Sequence, residues 1–297
     1  MKLHLARLAH YPVPIRLAVF VVSLLLVWLP VAGPIYWVVD DQNLTSILTL
    51  TLLYVEFILL ARFWGRRVYQ DTTILQSYGL KLSRQNGLEL LGGLGIGVCS
   101  LLGMFLVEGA LGWLNWRSPS VFLPQIILEG LLVSLGIGFA EELFFRGWLL
   151  HELERDYRPT TALGVASTVF ALAHFIKPIA EIRRTWINFP ALVLLGLALG
   201  WAKRATHAKA SLDEPSHRAR PRFQGQLGLP IGLHAGLVWG YYIINVGGLI
   251  NYSNLAPAWV TGIDSNPLAG AVGILCLSLI ALGMNLAARR RQAIAKR

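Results

Sequence analysis

Long apolar runs separated by short polar segments dominate the chain. We count eight candidate runs, at about 17–39, 46–63, 88–113, 123–151, 160–176, 187–202, 227–250 and 268–287. Each is close to the roughly 20 apolar residues that an α-helix needs to cross a bilayer. The short alternating segments of a transmembrane barrel are not found. The pattern therefore predicts an all-α fold, a polytopic membrane helix bundle with about eight transmembrane helices.

Composition agrees with this prediction and excludes a soluble globular protein. Hydrophobic residues make up 55% of the chain and charged residues only 14%. A soluble domain carries about 25% charged residues. We therefore expect the chain to be an integral membrane protein whose main surroundings are the lipid bilayer.

The net charge of +10 raises the question of a nucleic-acid partner. The lysines and arginines, however, lie between the apolar runs and in the final segment "AARRRQAIAKR". Cytoplasmic segments of membrane proteins carry such an excess of basic residues. We therefore expect no nucleic-acid partner.

The same basic segments predict an orientation. Segments 62–84 and 203–222 and the C-terminal segment are basic, and an even number of spans places them all on one side. Both termini would then be cytoplasmic, in a bacterial inner membrane or a thylakoid membrane. The segment "KPIAEIRRT" (177–185) disagrees, since it is basic but falls on the opposite side.

Several ionisable residues lie in the later apolar runs. An ionisable group inside a bilayer costs about 2.5–3.5 kcal/mol on insertion scales, so each is a candidate for function. The five that stand out among the ionisable residues of these runs are Glu141, Glu142, Arg146, His174 and His234. Glu56 and Glu129 also lie in runs, but neither has an ionisable neighbour in sequence, so we rank them lower.

The spacing of the first three residues separates the two glutamates. Glu142 and Arg146 are four residues apart, so they meet on one helix face with the acid before the base. Glu141 points about 100° away from that pair. We therefore interpret Glu142 and Arg146 as a supporting pair and Glu141 as the carboxylate that works on a substrate.

The two histidines lie in separate runs. A single helical histidine is more often a hydrogen-bonded core residue than part of a site. Two histidines and a carboxylate pair on three runs favour a shared site, and Gly232 and Gly236 allow close approach beside His234. For straight helices the three residues would lie roughly 10 to 21 Å deep, so convergence requires tilted or kinked helices.

Two kinds of chemistry fit these residues. Glu141 could act as a general base on water while the histidines orient the water and stabilise an oxyanion. Alternatively, Glu141, His174 and His234 could bind Zn²⁺, which would lower the pKa of a bound water. Either route hydrolyses an amide. The HExxH helix of many zinc proteases is absent from the sequence.

Three short motifs carry a resemblance to a known family. "EELFFR" (141–146), "FALAH" (170–174) and "HAGLV" (234–238) follow one another on three apolar runs. In this order they resemble the signature motifs of the CPBP intramembrane metalloproteases. That family comprises CAAX proteases and bacteriocin-processing enzymes, and is also called Abi or Rce1-like.

The resemblance implies a function and a site. Residues 120–297 would form a CPBP-like catalytic transmembrane core with the basic cytoplasmic loop 203–222, and residues 1–119 would be N-terminal transmembrane helices. The implied activity is endoproteolysis of a membrane-embedded or lipid-associated peptide or protein. The implied catalytic residues are Glu141, Glu142, Arg146, His174 and His234.

One position departs from the family pattern. An Asn or similar polar residue usually follows the last histidine by four positions, where this chain has Val238. Tyr241 and Tyr242 are the nearest candidates to replace it. The departure favours an alternative, a non-catalytic scaffold for bacteriocin immunity or membrane-partner binding. A proton-coupled transporter is a third reading, although the polar residues cluster in one half of the chain.

Overall fold

The computed structural model describes residues 5–206, 225–263 and 266–295, and these residues form a helical protein. The α-helices of these ranges are α1 (Val13–Val38), α2 (Gln42–Trp64), α3 (Ile74–Ser77), α4 (Arg84–Ala110), α5 (Leu123–Glu142), α6 (Leu150–Asp156), α7 (Pro159–Ala173), α8 (Ile179–Thr185), α9 (Phe189–Ala205), α10 (Gly228–Val246), α11 (Ala258–Thr261) and α12 (Ala271–Ala295).

Other backbone conformations connect or extend these helices. π-Helical turns at Gly65–Tyr69 and Leu143–Leu149 continue α2 and α5, and 3₁₀ turns lie at Leu5–His10, Trp186–Asn188 and Pro267–Ala269. Strands β1 (Leu114–Trp116) and β2 (Ile250–Tyr252) form one antiparallel ladder. This small sheet ties the segment after α4 to the segment after α10.

Seven helical stretches in the described ranges are long and apolar enough to cross a membrane. They are Val13–Val38, Gln42–Tyr69, Arg84–Ala110, Leu123–Asp156, Ile179–Ala205, Gly228–Val246 and Ala271–Ile294. The remaining predicted run corresponds to α7, which has only 15 residues. At 1.5 Å per residue α7 is about 22 Å long, less than the roughly 30 Å of a hydrocarbon core. The predicted fold class is confirmed, with one helix shorter than a full span.

Aromatic side chains join the N-terminal helices to the segment that follows Glu142. The ring centroids of Phe20 on α1 and Trp148 are 4.5 Å apart. Phe57 on α2 lies 6.1 Å from Trp148 and 5.3 Å from Phe144. All of these rings except that of Phe144 are buried in one hydrophobic core. Helices α1 and α2 therefore pack directly against the helical stretch that carries three of the candidate residues.

Glycines bring α4 and α10 into backbone contact. A Cβ atom on Gly97 would lie 2.7 Å from the Leu237 nitrogen, and one on Gly236 would lie 3.0 Å from the Gly97 Cα atom. No side chain fits in such a gap, so these positions require glycine for close approach. The contact fixes the position of α10 around His234.

The predicted loop 203–222 begins too early. Helix α9 continues to Ala205, and Lys203 is buried. The apolar pattern of the preceding run continues through these residues, and the Lys203 ammonium donates to a backbone carbonyl inside the bundle. Residues 207–222 of that predicted loop lie outside the described ranges. The division at residue 120 and the cytoplasmic placement of the termini stay predictions.

Candidate active site

Helix α5 and the π-helical turn after it carry Glu141, Glu142 and Arg146. Gly138 lies one turn before Glu142, and a Cβ atom there would lie 2.9 Å from the Ile231 carbonyl oxygen and 3.2 Å from the Ala235 Cβ atom. Because both contacts are on α10, close to His234, the glycine lets α5 approach α10 at the level of the site. The helical stretch continues without a break from Leu123 to Asp156.

Glu142 is the centre of a buried cluster. Its side chain is fully buried, and its Oε1 atom accepts hydrogen bonds from Arg146 Nη1 (2.8 Å) and His234 Nδ1 (2.9 Å). The structure thus contains the pair that the four-residue spacing predicts. It adds His234 as a second donor to the same oxygen, which the sequence could not indicate.

Arg146 is held on several sides. Its Nη2 atom donates to the Gly196 carbonyl on α9 (3.3 Å), and its guanidinium lies 4.2 Å from the centroid of the Phe170 ring. Lys203, which sequence reasoning assigned to a loop, donates from Nζ to the Arg146 carbonyl oxygen (2.6 Å). Continuing the helical pattern of the preceding apolar run through Ala205 would have revealed Lys203 as a helix residue.

Glu141 lies beside both histidines. Its Oε2 atom is 3.9 Å from His174 Nε2 and 4.0 Å from His234 Nε2. His174 is the residue directly after α7, and His234 lies in α10. Three predicted site residues from three parts of the bundle therefore meet, despite the different depths expected for straight helices.

The partners of the Nδ1 atoms set the tautomers of both histidines. His174 Nδ1 lies 2.8 Å from the Phe170 carbonyl oxygen, which can only accept a hydrogen bond. His234 Nδ1 faces the Glu142 carboxylate in the same way. In neutral imidazoles the protons then lie on Nδ1, and both Nε2 atoms present lone pairs. A carboxylate oxygen and two Nε2 lone pairs thus face one another.

The exposure of these side chains divides the cluster into two parts. The side chains of Glu141 and His174 are 31% and 33% exposed, whereas those of Glu142, Arg146 and His234 are at most 5% exposed. The Phe170 ring lies between the two parts, with its centroid 4.6 Å from the His174 ring and 6.1 Å from the His234 ring. Glu141 and His174 are therefore the side chains that a substrate can reach.

The donor types of Glu141, His174 and His234 are those that Zn²⁺ uses. Their present spacing is wider than a metal site needs, and the ranges that the structure describes contain no group of three or more His, Cys, Asp or Glu side chains placed to hold a metal ion. Zinc binding therefore stays a prediction.

Neither candidate replacement for Val238 lies at the site. The Tyr242 ring packs against Gly130, where an added Cβ would meet it at 2.5 Å. Gly130 precedes Glu141 by eleven residues, about 16 Å along a helix. Tyr241 borders a separate cavity of about 140 Å³ with Phe105 and Tyr252.

No curated protein and no solved structure matches the chain. A family model matches part of it, from residue 123 to residue 212, which covers α5 to α9 and includes Glu141, Glu142, Arg146 and His174. His234 lies beyond the matched residues. The matching model is described as Type II CAAX prenyl endopeptidase Rce1-like, which confirms the resemblance of this part of the chain to the CAAX protease family.

Proposed function

We propose that this protein is an intramembrane endopeptidase that hydrolyses a peptide bond of a membrane-embedded or lipid-associated substrate. One observation carries the proposal, the approach of Glu141 Oε2 to within 4.0 Å of the Nε2 atoms of His174 and His234. A carboxylate and two imidazoles around one point can bind and activate a water. The match of residues 123–212 to a family named for endopeptidases supports the same activity.

The reaction follows from these positions. Glu141 takes a proton from a water, and the water oxygen forms a bond to the carbonyl carbon of the scissile peptide. The π electrons of the carbonyl move to its oxygen, which becomes an oxyanion. When the carbonyl re-forms, the C–N bond breaks and the departing nitrogen takes the proton from Glu141. The second O–H of the water donates a hydrogen bond to the Nε2 lone pair of His174 or of His234, which fixes the orientation of the water.

Glu142 and Arg146 act as positioning residues in this proposal. They are assigned no contact with the water, because both side chains are buried and the Arg146 guanidinium is stacked on the Phe170 ring. Glu142 holds the Nδ1 proton of His234 and thereby keeps the Nε2 lone pair directed at the water. Arg146 balances the charge of Glu142 at 2.8 Å.

Cleavage assays with the full chain in lipid vesicles test this function. We would use two internally quenched probes, a farnesylated peptide with a C-terminal CAAX sequence and an unprenylated transmembrane peptide. Wild type should cleave at least one probe, whereas Glu141→Gln and His174→Asn should lose about 10²-fold or more in kcat. Glu129→Gln is a matched control, since Glu129 is an exposed glutamate on the same helix and accepts a hydrogen bond from Gln125.

Metal analysis of the same samples tests the zinc prediction separately. Stoichiometric zinc in wild type that is lost in His174→Asn would support a metal-bound water. Cleavage that survives removal of metals by a chelator would support the route through Glu141 alone.

A non-catalytic scaffold is the second candidate, and Val238 is the observation that favours it. In that case wild type cleaves neither probe, and Glu141→Gln supports the same cellular phenotype as wild type. Retained binding of a membrane partner by Glu141→Gln would then identify the protein as a binding scaffold.

A further inference from the structure

Helix α2 presents a tyrosine to the helix that carries Glu141. The ring centroids of Tyr54 and Phe139 are 6.4 Å apart, and Phe139 precedes Glu141 by two residues. Tyr54 also contacts Phe57 at 6.1 Å, on the aromatic face of α2 that packs against the segment after Glu142. Tyr54 therefore belongs to the contact between the N-terminal helices and the candidate active site.

The Tyr54 hydroxyl is an unsatisfied polar group. Its oxygen is buried and makes no hydrogen bond to any residue that the structure describes. Glu141 Oε2 is the buried oxygen of a side chain that is otherwise partly exposed, and it likewise makes no hydrogen bond to a described residue. An unsatisfied buried polar group destabilises the folded protein, because it has lost its hydrogen bonds to water without replacing them. Two such groups, one of them on the proposed base and the other on a side chain packed against the same helix, call for a functional explanation.

The reaction proposed above needs a donor that the histidines do not supply. An oxyanion is stabilised by hydrogen-bond donors aimed at the developing charge. The Nδ1 protons of His174 and His234 are engaged by Phe170 and Glu142, so in the neutral form their Nε2 atoms only accept. The family that the three motifs resemble usually has a polar residue at the position where this chain has Val238. A tyrosine phenol ionises only near about pH 10, so at neutral pH it donates.

We propose that the Tyr54 hydroxyl donates a hydrogen bond to the oxyanion that forms when water attacks the scissile carbonyl. Tyr54 is then a catalytic residue contributed by the N-terminal helices, which lie outside the segment matched by the family model. This inference rests on the proposed peptidase function.

The missing hydrogen bond makes the inference easy to test. Because the Tyr54 hydroxyl has no hydrogen-bond partner among the described residues, Tyr54→Phe removes no hydrogen bond within them. The thermal denaturation midpoint should therefore stay unchanged or rise. We expect kcat to fall about 10²-fold with little change in KM, as after loss of one oxyanion donor. Affinity for a peptide phosphonate, which mimics the tetrahedral intermediate, should fall by a similar factor, whereas affinity for an uncleaved substrate-like peptide should not.

Tyr252→Phe is the matched control. Its hydroxyl is also buried without a hydrogen bond and lies under the electrostatic influence of a carboxylate, Glu108. Tyr252 lies in β2, away from Glu141, so Tyr252→Phe should keep the kcat of wild type. If Tyr54→Phe does not fold, 3-fluorotyrosine at position 54 replaces it. Because 3-fluorotyrosine has nearly the shape of tyrosine but is a stronger acid and hydrogen-bond donor, the substituted protein should bind the phosphonate more tightly than wild type does.

The outcomes separate this inference from the function on which it rests. If Tyr54→Phe cleaves as wild type does while Glu141→Gln is inactive, the role of Tyr54 is overturned and the peptidase function stands. Unchanged phosphonate affinity in Tyr54→Phe, or in the fluorotyrosine protein, also overturns it. If wild type cleaves neither probe, the peptidase function fails and this inference fails with it.

Discussion

His234 Nδ1 lies 2.9 Å from Glu142 Oε1, and this contact links α10 to α5 inside the bundle. The same oxygen accepts from Arg146 Nη1 at 2.8 Å. One buried carboxylate oxygen therefore balances a guanidinium and fixes the orientation of an imidazole. Because the His234 Nε2 atom faces Glu141, the packing of Glu142 determines the geometry around the carboxylate that we propose as the base.

Replacing Glu142 should impair both stability and activity. Glu142→Gln leaves the Arg146 guanidinium buried without its counter-charge, and breaking a buried pair from one side costs about 3–5 kcal/mol. It also removes the carboxylate that orients His234. We expect a lower thermal denaturation midpoint and, in the fraction that stays folded, a kcat at least about 10²-fold below that of wild type.

Glu154→Gln is the control for this prediction. Glu154 and Arg204 form another buried ion pair at 2.7 Å, with side chains at most 6% exposed, between α6 and α9. This variant should lose stability but keep the kcat of folded wild type. Equal activity loss in both variants would contradict the positioning role of Glu142.

Arg146→Lys should inactivate the site although it keeps the charge. The guanidinium donates to Glu142 and Gly196 from different nitrogens and lies 4.2 Å from the Phe170 ring centroid. A lysine ammonium lacks the planar fork that allows these contacts together. We expect kcat to fall about 10²-fold, since a displacement of about 1 Å near reacting groups has that effect.

Arg155 lies on the same helical stretch and also stacks on an aromatic ring, so Arg155→Lys is the control for Arg146→Lys. The Arg155 guanidinium lies 4.0 Å from the Tyr69 ring centroid. Arg155→Lys should therefore keep the wild-type kcat in the same cleavage assay. A fully active Arg146→Lys variant would show that charge alone suffices at position 146.

The sequence predicted the features that depend on local spacing. The apolar runs predicted the spanning helices, and the four-residue separation predicted contact between Glu142 and Arg146. The 100° offset predicted that Glu141 would be free of that pair, and its Oε2 atom is indeed turned toward His174 and His234. These features follow from helix geometry, which a sequence determines directly.

The features that the sequence did not predict depend on how helices approach one another. Glycine contacts between α4 and α10, and between Gly138 and α10, set the height and distance at which His234 meets Glu142. The contact of Lys203 with the Arg146 carbonyl and the contact of the Tyr54 ring with Phe139 are of the same kind. No spacing rule within one helix contains this information.

A second buried cluster anchors α1 to the end of the helical stretch that carries Glu141. Arg16 Nε donates to Glu152 Oε2 at 3.1 Å, and the Tyr69 hydroxyl donates to the same oxygen at 2.6 Å. Arg16→Met leaves Glu152 buried without that counter-charge, whereas Tyr69→Phe removes one hydrogen bond to a charged group, worth about 1.5–3 kcal/mol. We expect Arg16→Met to lower the thermal denaturation midpoint more than Tyr69→Phe does.

Activity measurements on the same two variants show whether this cluster is only structural. Glu152 follows Glu141 by eleven residues, about 16 Å along a helix. Folded Arg16→Met and Tyr69→Phe proteins should therefore keep the kcat of wild type at temperatures below their transitions. A lower kcat in the folded variants would show that the cluster contributes to the reaction.

The backbone contact between α4 and α10 predicts opposite effects for neighbouring glycines. A Cβ atom on Gly93 would lie 2.7 Å from the Leu233 nitrogen, whereas one on Gly95 would meet nothing within 4 Å. Alanine is favoured over glycine in a helix by up to about 1 kcal/mol. Gly95→Ala should therefore keep full activity and denature at the same or a higher temperature. Gly93→Ala must push α10 away beside His234, so we expect a lower denaturation midpoint and a kcat reduced about 10²-fold. Equal behaviour of the two variants would show that this helix contact does not position His234.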